Sequence, residues 1–438
     1  VYDDELVVTK NPFLSSFYNI RYLFSPYYFA GSGEFTYRPM VTLSYLADHK
    51  LWGFNPFGYH LTNVILHIAN GVLLYFLCLV LLPLLGKGKD AGYIAVLSSV
   101  FFLIHPVQTE VVNGIGFRED ALLAASMFGC LIFYLKASAA KRPAGKFLLY
   151  TGSIIFFLLS LTSKEWGIVL IPIIVTADFF ISGIGDDKKR CLRQIPYYAA
   201  YTAVLAVYTY IFVFIMRNPA MKLGIKTAIN LYQDVILTGS RYVAYYIKLL
   251  VLPVDLSVEY LFPKTYSIME PSIFFSILAV LAAVLFIYIS YKKDRVISFA
   301  GTWVLVLTGP MILFPYQSIA ERFLYLPCAG FSLLIASLFV KSYGSLKRGK
   351  WVVTSILVMV ILFYCARTVT RNAVWKDPVT FWETRLRSSV GTARAYSSLG
   401  DIYLAKGLLD KAEWAYNNAL AVNGDYADAH NNLGSLYS

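Results

Sequence analysis

The sequence predicts an all-α, polytopic membrane protein in which a transmembrane helical bundle is followed by tandem helical repeats. Three observations predict it. Of 438 residues, 58% are apolar and 15% charged, against about 45–50% and about 25% in soluble domains. Mostly apolar stretches of about 20 residues recur along the chain, each long enough to cross a hydrocarbon core of about 30 Å. Near the C-terminus, a pattern repeats at an interval of 34 residues.

Ten spans are expected, at 61–85, 92–105, 120–135, 147–163, 166–182, 196–216, 272–291, 297–316, 323–340 and 351–367. Positive charge orients them. The connecting loops 86–91, 136–147, 183–195, 292–296 and 341–350 carry Lys or Arg at 17 of 46 positions, whereas 105–120, 163–166 and 317–322 carry only Arg118, Lys164 and Arg322. The basic set is expected to face the cytoplasm. Segment 217–271 must then cross an even number of times. Within it, 233–252 is apolar but includes Arg241 and Lys248, which are costly at mid-membrane, so it is expected to lie in the outer interface. The net charge of +12 is accounted for by orientation, with no sign of a nucleic-acid partner. Three domains follow: a first extracytoplasmic loop at 1–58, a transmembrane core at 59–367 and a repeat domain at 368–438. The chain starts at Val1 and stops inside a repeat at Ser438, and both ends read as truncated.

The repeat pattern is that of tetratricopeptide units. Ala395-Tyr396, Leu399-Gly400 and Tyr403 recur 34 residues later as Ala429-His430, Leu433-Gly434 and Tyr437. Ala412, Tyr416, Ala419 and Leu420 supply the helix between them, small residues permitting close packing of the pair. Trp382 and Leu386 stand 34 before Tyr416 and Leu420, so 375–392 is expected to hold the second helix of a degenerate first unit. Arrays of this kind offer a concave protein-binding surface. The five cysteines (Cys78, Cys130, Cys191, Cys328, Cys365) form no CxxC pair and read as packing residues.

Charged residues gather on the outer side. Asp3 and Asp4 open the first loop; Glu110, Arg118, Glu119 and Asp120 lie in HPVQTEVVNGIGFRED; Lys164-Glu165 fills a gap between spans; Glu321-Arg322 stands where a span re-enters. Charges so close to an apolar core are expensive unless paired or functional. Salt-bridged span ends are the plainer account of any one cluster, and four on one side favour a site. His60, Asn63 and His67 share a helical face; hydrogen bonding between helices explains them better than metal ligation does.

The strings VYDDELVV, TYRPMVTLSYLADHKLWGFNPFGYHLTNVILH, HPVQTEVVNGIGFREDALLA, SKEWGI, AERFLYLPCAGF and RNAVWKDPVTFWE, followed by the repeats, together resemble the transmembrane and tetratricopeptide-repeat O-mannosyltransferases. The resemblance covers essentially the whole chain. It implies the GT-C membrane fold, and a further span before the acidic pair, making 11. It also implies a polyprenyl (dolichyl) phosphate mannose donor and a Ser or Thr hydroxyl acceptor on an extracytoplasmic polypeptide held by the repeats. A carboxylate must take the hydroxyl's proton; Asp3 or Asp4 fits, with Asp3 favoured because it matches the Asp of the related Asp-Glu motif. Attack opposite the phosphate inverts the sugar in one displacement. The departing phosphate calls for fixed cations: Arg322 first, then Lys164 and Arg118, with Arg38 weaker. Glu110, Asp120, Glu165 and Glu321 would support them. No cofactor or metal is required, although Asp3-Asp4 with Glu110 is a candidate for a divalent cation. Two alternatives stay open: a GT-C transferase of another lipid-linked sugar or onto a glycan, and a non-enzymatic membrane-anchored repeat scaffold. Either a bacterial inner membrane or the endoplasmic reticulum would suit, the short outer loops inclining toward the former.

Overall fold

Long apolar helices dominate the computed structural model, which describes residues 5–31, 36–182, 188–216, 231–262, 266–309, 318–346, 348–388 and 392–437. Among these, eight helices are long and apolar enough to cross a membrane: Pro56–Leu84, Ile115–Ala139, Pro143–Ser163, Glu165–Ser182, Gln194–Ile215, Pro271–Lys293, Glu321–Ser345 and Lys350–Val374. The chain is a membrane protein, helical throughout its bundle. Eight of the ten expected spans coincide with these helices. The other two differ in form.

The span expected at 92–105 continues as a bent pair, Ala91–Ile104 and Pro106–Asn113, with 54° between them. Proline explains the break. Pro106 lacks an N–H and forces the preceding His105 out of helical geometry, to φ −68° and ψ 128°. His105 is held there by its Nε2 bond to the Leu250 carbonyl, 2.9 Å. The bend turns Glu110 back toward the bundle. The span expected at 297–316 has only 14 helical residues, Arg295–Thr308, among those described, about 21 Å at 1.5 Å per residue. Residues 310–317 lie outside the described set.

Close packing is built from small residues, as expected where no hydrophobic force separates helix from lipid. A Cβ on Gly129 would stand 2.7 Å from Phe156, and one on Gly152 2.7 Å from Phe133. The two helices therefore interlock reciprocally, and the Cys130 Sγ to Ser153 Oγ contact of 3.1 Å lies at the same seam. Cys78, Cys130 and Cys328 are buried thiols. Deeper still, Asp178 accepts hydrogen bonds from the hydroxyls of Tyr134 and Tyr198, tying three spans together. The segment expected as an interface helix forms the Leu231–Gly239 and Ser240–Val251 helical stretch. Its Tyr242, Val243, Tyr246, Leu249 and Leu250 are buried against the bundle.

The two ends of the bundle differ in chemistry. At one, Asp294 pairs with Lys87 at 3.0 Å and Lys341 at 3.4 Å, which draws three lysine-bearing turns together. At the other lie the loops that carry Arg38, Glu110, Asp120, Lys164 and Arg322. Here Tyr260–Leu261 forms a short antiparallel ladder with Ser318–Ile319.

The repeats follow the last span. Pro378–Ser388, Ala393–Ala405, Leu409–Val422 and Ala427–Tyr437 are helices. Ala395, Leu399, Gly400, Tyr403, Ala412, Tyr416 and Ala419 are buried among them. Gly400 leaves room for the Tyr416 ring, which a Cβ would approach to 2.5 Å. Trp375, Phe381 and Trp382 join this cluster, and so do Phe117 and Val258 from the bundle. The repeats are thus docked on the bundle by their first helix.

Candidate functional site

Four segments far apart in sequence meet at the loop end of the bundle. Arg38, just ahead of the Pro39–Trp52 helix, donates from Nη1 to Glu119 Oε1 at 2.8 Å. It also grips Glu165 with Nε at 3.2 Å and Nη2 at 2.9 Å. Lys164 closes the Pro143–Ser163 helix in an extended conformation, φ −159° and ψ 143°. The tight turn after it needs Gly167, where a Cβ would lie 2.7 Å from the Ser160 backbone. That geometry aims Lys164 inward, where Nζ is 2.7 Å from each oxygen of Asp120 and 3.4 Å from Glu119. Two cations (Arg38, Lys164) therefore face three carboxylates (Glu119, Asp120, Glu165), a net of −1.

A second group adjoins it. Arg322 donates from Nη1 to Glu110 Oε1 at 2.6 Å, and its backbone N–H to Glu110 Oε2 at 2.7 Å. Its guanidinium stacks on Phe117 at 4.5 Å and on Phe323 at 5.1 Å. Lys164 Nζ stands 5.2 Å from the same Phe323 ring, so the two cations flank one aromatic side chain. Glu321 is fully buried and accepts from the Tyr260 hydroxyl at 2.6 Å. Burial, and then the Glu321 charge, hold the Tyr260 hydroxyl well above the ordinary tyrosine range, so it stays a donor. Arg371 Nη2 is 3.6 Å from Glu321 Oε1.

The four cations named from sequence differ in access. The side chains of Arg322 and Arg38 are 21% and 15% exposed, those of Lys164 and Arg118 3% and 0%. Arg118 is set apart from the rest. Its Nη2 pairs with Asp48 at 2.6 Å and donates to the Tyr59 carbonyl, Nε donates to Asn63 Oδ1 and Nη1 to Ser44 Oγ, and its guanidinium lies 4.7 Å from the Tyr45 ring centre. Such a guanidinium is engaged in holding the first helices together and has no face left for a ligand. A cavity of about 20 Å³, lined by Asp120, Trp166, Phe323 and apolar neighbours, has room for about one water and not for a sugar. Of the four cations, Arg322 and Arg38 keep the most solvent access at this end of the bundle.

Asp3 and Asp4 lie outside the described residues. Soon after them, Val7 and Val8 pack with Tyr45, Tyr59 and Ile115, on the flank of the Arg118 network. Among the described residues, no three His, Cys, Asp or Glu side chains are grouped to hold a metal ion. Asn63 serves Arg118. His67 Nε2 faces the Leu103 carbonyl at 3.1 Å and must donate, leaving Nδ1 to accept from the Tyr325 hydroxyl at 2.9 Å. Asp48, Asp178, Tyr260 and Arg371 escape a reading by sequence. The two aspartates carry the one signal available, a carboxylate inside or beside a largely apolar helix.

Compared with known proteins, the chain is similar over most of its length to proteins named protein O-mannosyl-transferase. It is 27% identical over 451 residues to protein O-mannosyl-transferase F38B6.6 of Caenorhabditis elegans, covering 97% of this chain and 60% of that protein. Tmtc3 of Drosophila melanogaster is 23% identical, with 92% and 50% covered; human TMTC3 is 24% identical, with 92% and 46% covered. The chain spans about half the length of the curated relatives it matches. No family model and no solved structure matches it. The likeness runs through spans and repeats alike, and by it the chain is similar, over nearly its whole length, to the transmembrane and tetratricopeptide-repeat proteins named protein O-mannosyl-transferases.

Proposed function

We propose that this chain transfers mannose from a polyprenyl or dolichyl phosphate carrier to Ser and Thr hydroxyls of extracytoplasmic polypeptides, on a GT-C-type bundle. The observation that carries the reading is the meeting of Arg38, Glu119, Asp120, Lys164, Glu110 and Arg322 at one end of a membrane bundle, in a chain whose relatives are named for this transfer. A lipid phosphate lies at the membrane surface, so the cation that grips it must stand at a bundle end and be reachable. Arg322 meets both conditions, with Arg38 second. Lys164 and Asp120 neutralise each other and shape the rim. Arg118 serves the scaffold in this reading.

In the reaction, a Ser or Thr oxygen attacks the anomeric carbon from the side opposite the phosphate. The new C–O bond forms as the bond to the phosphate oxygen breaks, and the configuration inverts. The hydroxyl proton passes to Asp3 or Asp4, and polyprenyl phosphate leaves with its added charge stabilised by Arg322. The site and the repeats both face the extracytoplasmic side, of a bacterial inner membrane or of the endoplasmic reticulum. The tie between Lys87, Asp294 and Lys341 at the opposite end supports that orientation, because basic turns stay on the cytoplasmic side. Repeats docked at the same end as the cations would present the acceptor to them.

The test is transfer of radiolabelled mannose from polyprenyl phosphate mannose to membrane proteins. Wild type is compared with Asp3→Asn, Asp4→Asn and Arg322→Ala at equal expression. Loss in one aspartate variant identifies the base. Absence of transfer by wild type sinks the mannosyl reading; glucosyl and arabinosyl carriers then separate another transferase from a scaffold, which would be silent with all three.

A further inference from the structure

The root of the repeat module reaches Arg322 by two independent routes. One is aromatic. Phe117 packs with Trp375, Phe381 and Trp382 of the repeat root on one side and carries the Arg322 guanidinium at 4.5 Å. The other is ionic. Arg385, on the first repeat helix, pairs with Glu259; the adjacent Tyr260 donates to Glu321 at 2.6 Å; and Glu321 precedes Arg322 in the chain. Arg371, at the end of the last span, faces Glu321 at 3.6 Å, while its neighbour Asn372 accepts from Asn113 of the Glu110 loop at 2.7 Å.

This region is polar, buried and incompletely bonded. Among the described residues, Glu321 Oε2, Arg371 Nε and Nη2, Trp375 Nε1 and both amide atoms of Gln108 find no hydrogen-bond partner. Glu321 is fully buried and Arg371 is 5% exposed. A buried carboxylate of this kind needs a nearby cation. Without Arg371, Glu321 would compete with Glu110 for the next guanidinium in reach, its own neighbour Arg322.

We infer that Arg371 is a positioning residue for Arg322: by compensating Glu321, it keeps the Arg322 guanidinium on Glu110 and Phe117, where it faces an anionic lipid-linked donor. The root of the repeats, in this arrangement, sets the geometry of the donor site as well as carrying the acceptor module. The inference rests on the proposed role of Arg322.

The experiment measures equilibrium binding of radiolabelled dolichyl phosphate mannose to the purified chain in lipid nanodiscs. Arg322→Ala is expected to weaken binding about tenfold or more, as loss of a charge-assisted bond to phosphate does. Arg371→Ala is expected to weaken it about three- to tenfold, and the Arg371→Ala, Arg322→Ala double variant no more than Arg322→Ala alone, because residues acting through one another are not additive. Arg371→Lys, or Glu321→Gln placed in the Arg371→Ala background, should restore binding to within about twofold of wild type, since either removes the uncompensated charge. Arg371→Ala binding like wild type while Arg322→Ala does not would overturn the inference and leave the proposed function standing. So would full additivity of the two. Unchanged binding by Arg322→Ala would bring down the donor reading and the inference together. Should Arg371→Ala fail to fold, Arg371→Gln, which keeps most of the side-chain bulk without the charge facing Glu321, is measured in its place, and binding equal to wild type would overturn the inference.

Discussion

From the sequence, Arg118 and Arg322 are both candidates to grip the phosphate, Arg322 ahead of Arg118, and each stands where an outer loop gives way to an apolar span. Burial separates them. Arg118 is sealed in with Asp48, Asn63 and the Tyr59 carbonyl, while Arg322 keeps an exposed edge beside Glu110. Removing one partner of a buried ion pair costs about 3–5 kcal/mol, whereas replacing both by apolar residues is often neutral. Arg118→Leu should therefore lower the thermal midpoint in detergent sharply, and adding Asp48→Leu should recover most of the loss. A midpoint unchanged by Arg118→Leu would contradict the structural role. Arg322→Ala leaves the fully buried Glu110 without its cation and should lower that midpoint as well; adding Glu110→Gln should recover most of the midpoint while mannose transfer stays reduced about a hundredfold, the scale of losing one transition-state charge contact. Asp48 gives only a weak signal in the sequence because YLADHK reads as the polar end of a surface helix, and only the fold turns it onto Arg118. Arg371 is hidden for the same reason, as its partner lies 50 residues earlier in the chain.

At the level of elements, spans and repeat helices were readable because each has a one-dimensional signature, sustained hydropathy or a 34-residue period. What the sequence conceals is where a long apolar stretch bends. Pro106 marks the break at His105, yet the apolar run alone does not tell a bent pair from a straight span. Packing seams are equally silent. Gly129 and Gly152 look like incidental glycines until each is set against a Phe of the other helix. Gly129→Leu should destabilise the bundle by about 1–3 kcal/mol, as overpacking does, measured as a lowered thermal midpoint; Gly145→Ala, with open space around its Cβ, should not. The repeat root has its own acid sensitivity. Asp377 caps the Pro378–Ser388 helix by accepting the Thr380 N–H at 2.9 Å, and this bond, with Lys406 nearby, holds its carboxyl below the usual range. A depressed carboxylate stabilises the folded state above its ordinary pKa, and that contribution disappears as pH falls through the lowered value. Asp377→Asn should therefore flatten the acid limb of the repeat unfolding profile and leave the neutral region little changed, as followed by circular dichroism from pH 7 to pH 2.

Across the whole molecule, charge is sorted along the bundle axis: lysine turns gathered on Asp294 at one end, paired cations and carboxylates with the docked repeats at the other. That sorting of charge between the two ends was legible from the composition of the loops. The joining of the two modules was not, because Phe117, Val258, Trp382 and Arg385 meet across more than 100 residues of chain. Asp178 is buried about one turn from the end of a span of its own and accepts from Tyr134 of an earlier span and from Tyr198, at 2.5 Å, of a later one. A ribosome delivers these segments in order, so the Asp178 segment enters the bilayer while one of its two donors is still unsynthesised. It should stay beside the Tyr134 helix until the Tyr198 helix arrives, and a glycosylation-tagged insertion assay should show residues 165–182 inserting poorly alone and well when 115–163 precede them. Tyr134→Phe should abolish that help. The carboxylate that fastens the finished bundle would then also set the order in which its helices are released into lipid.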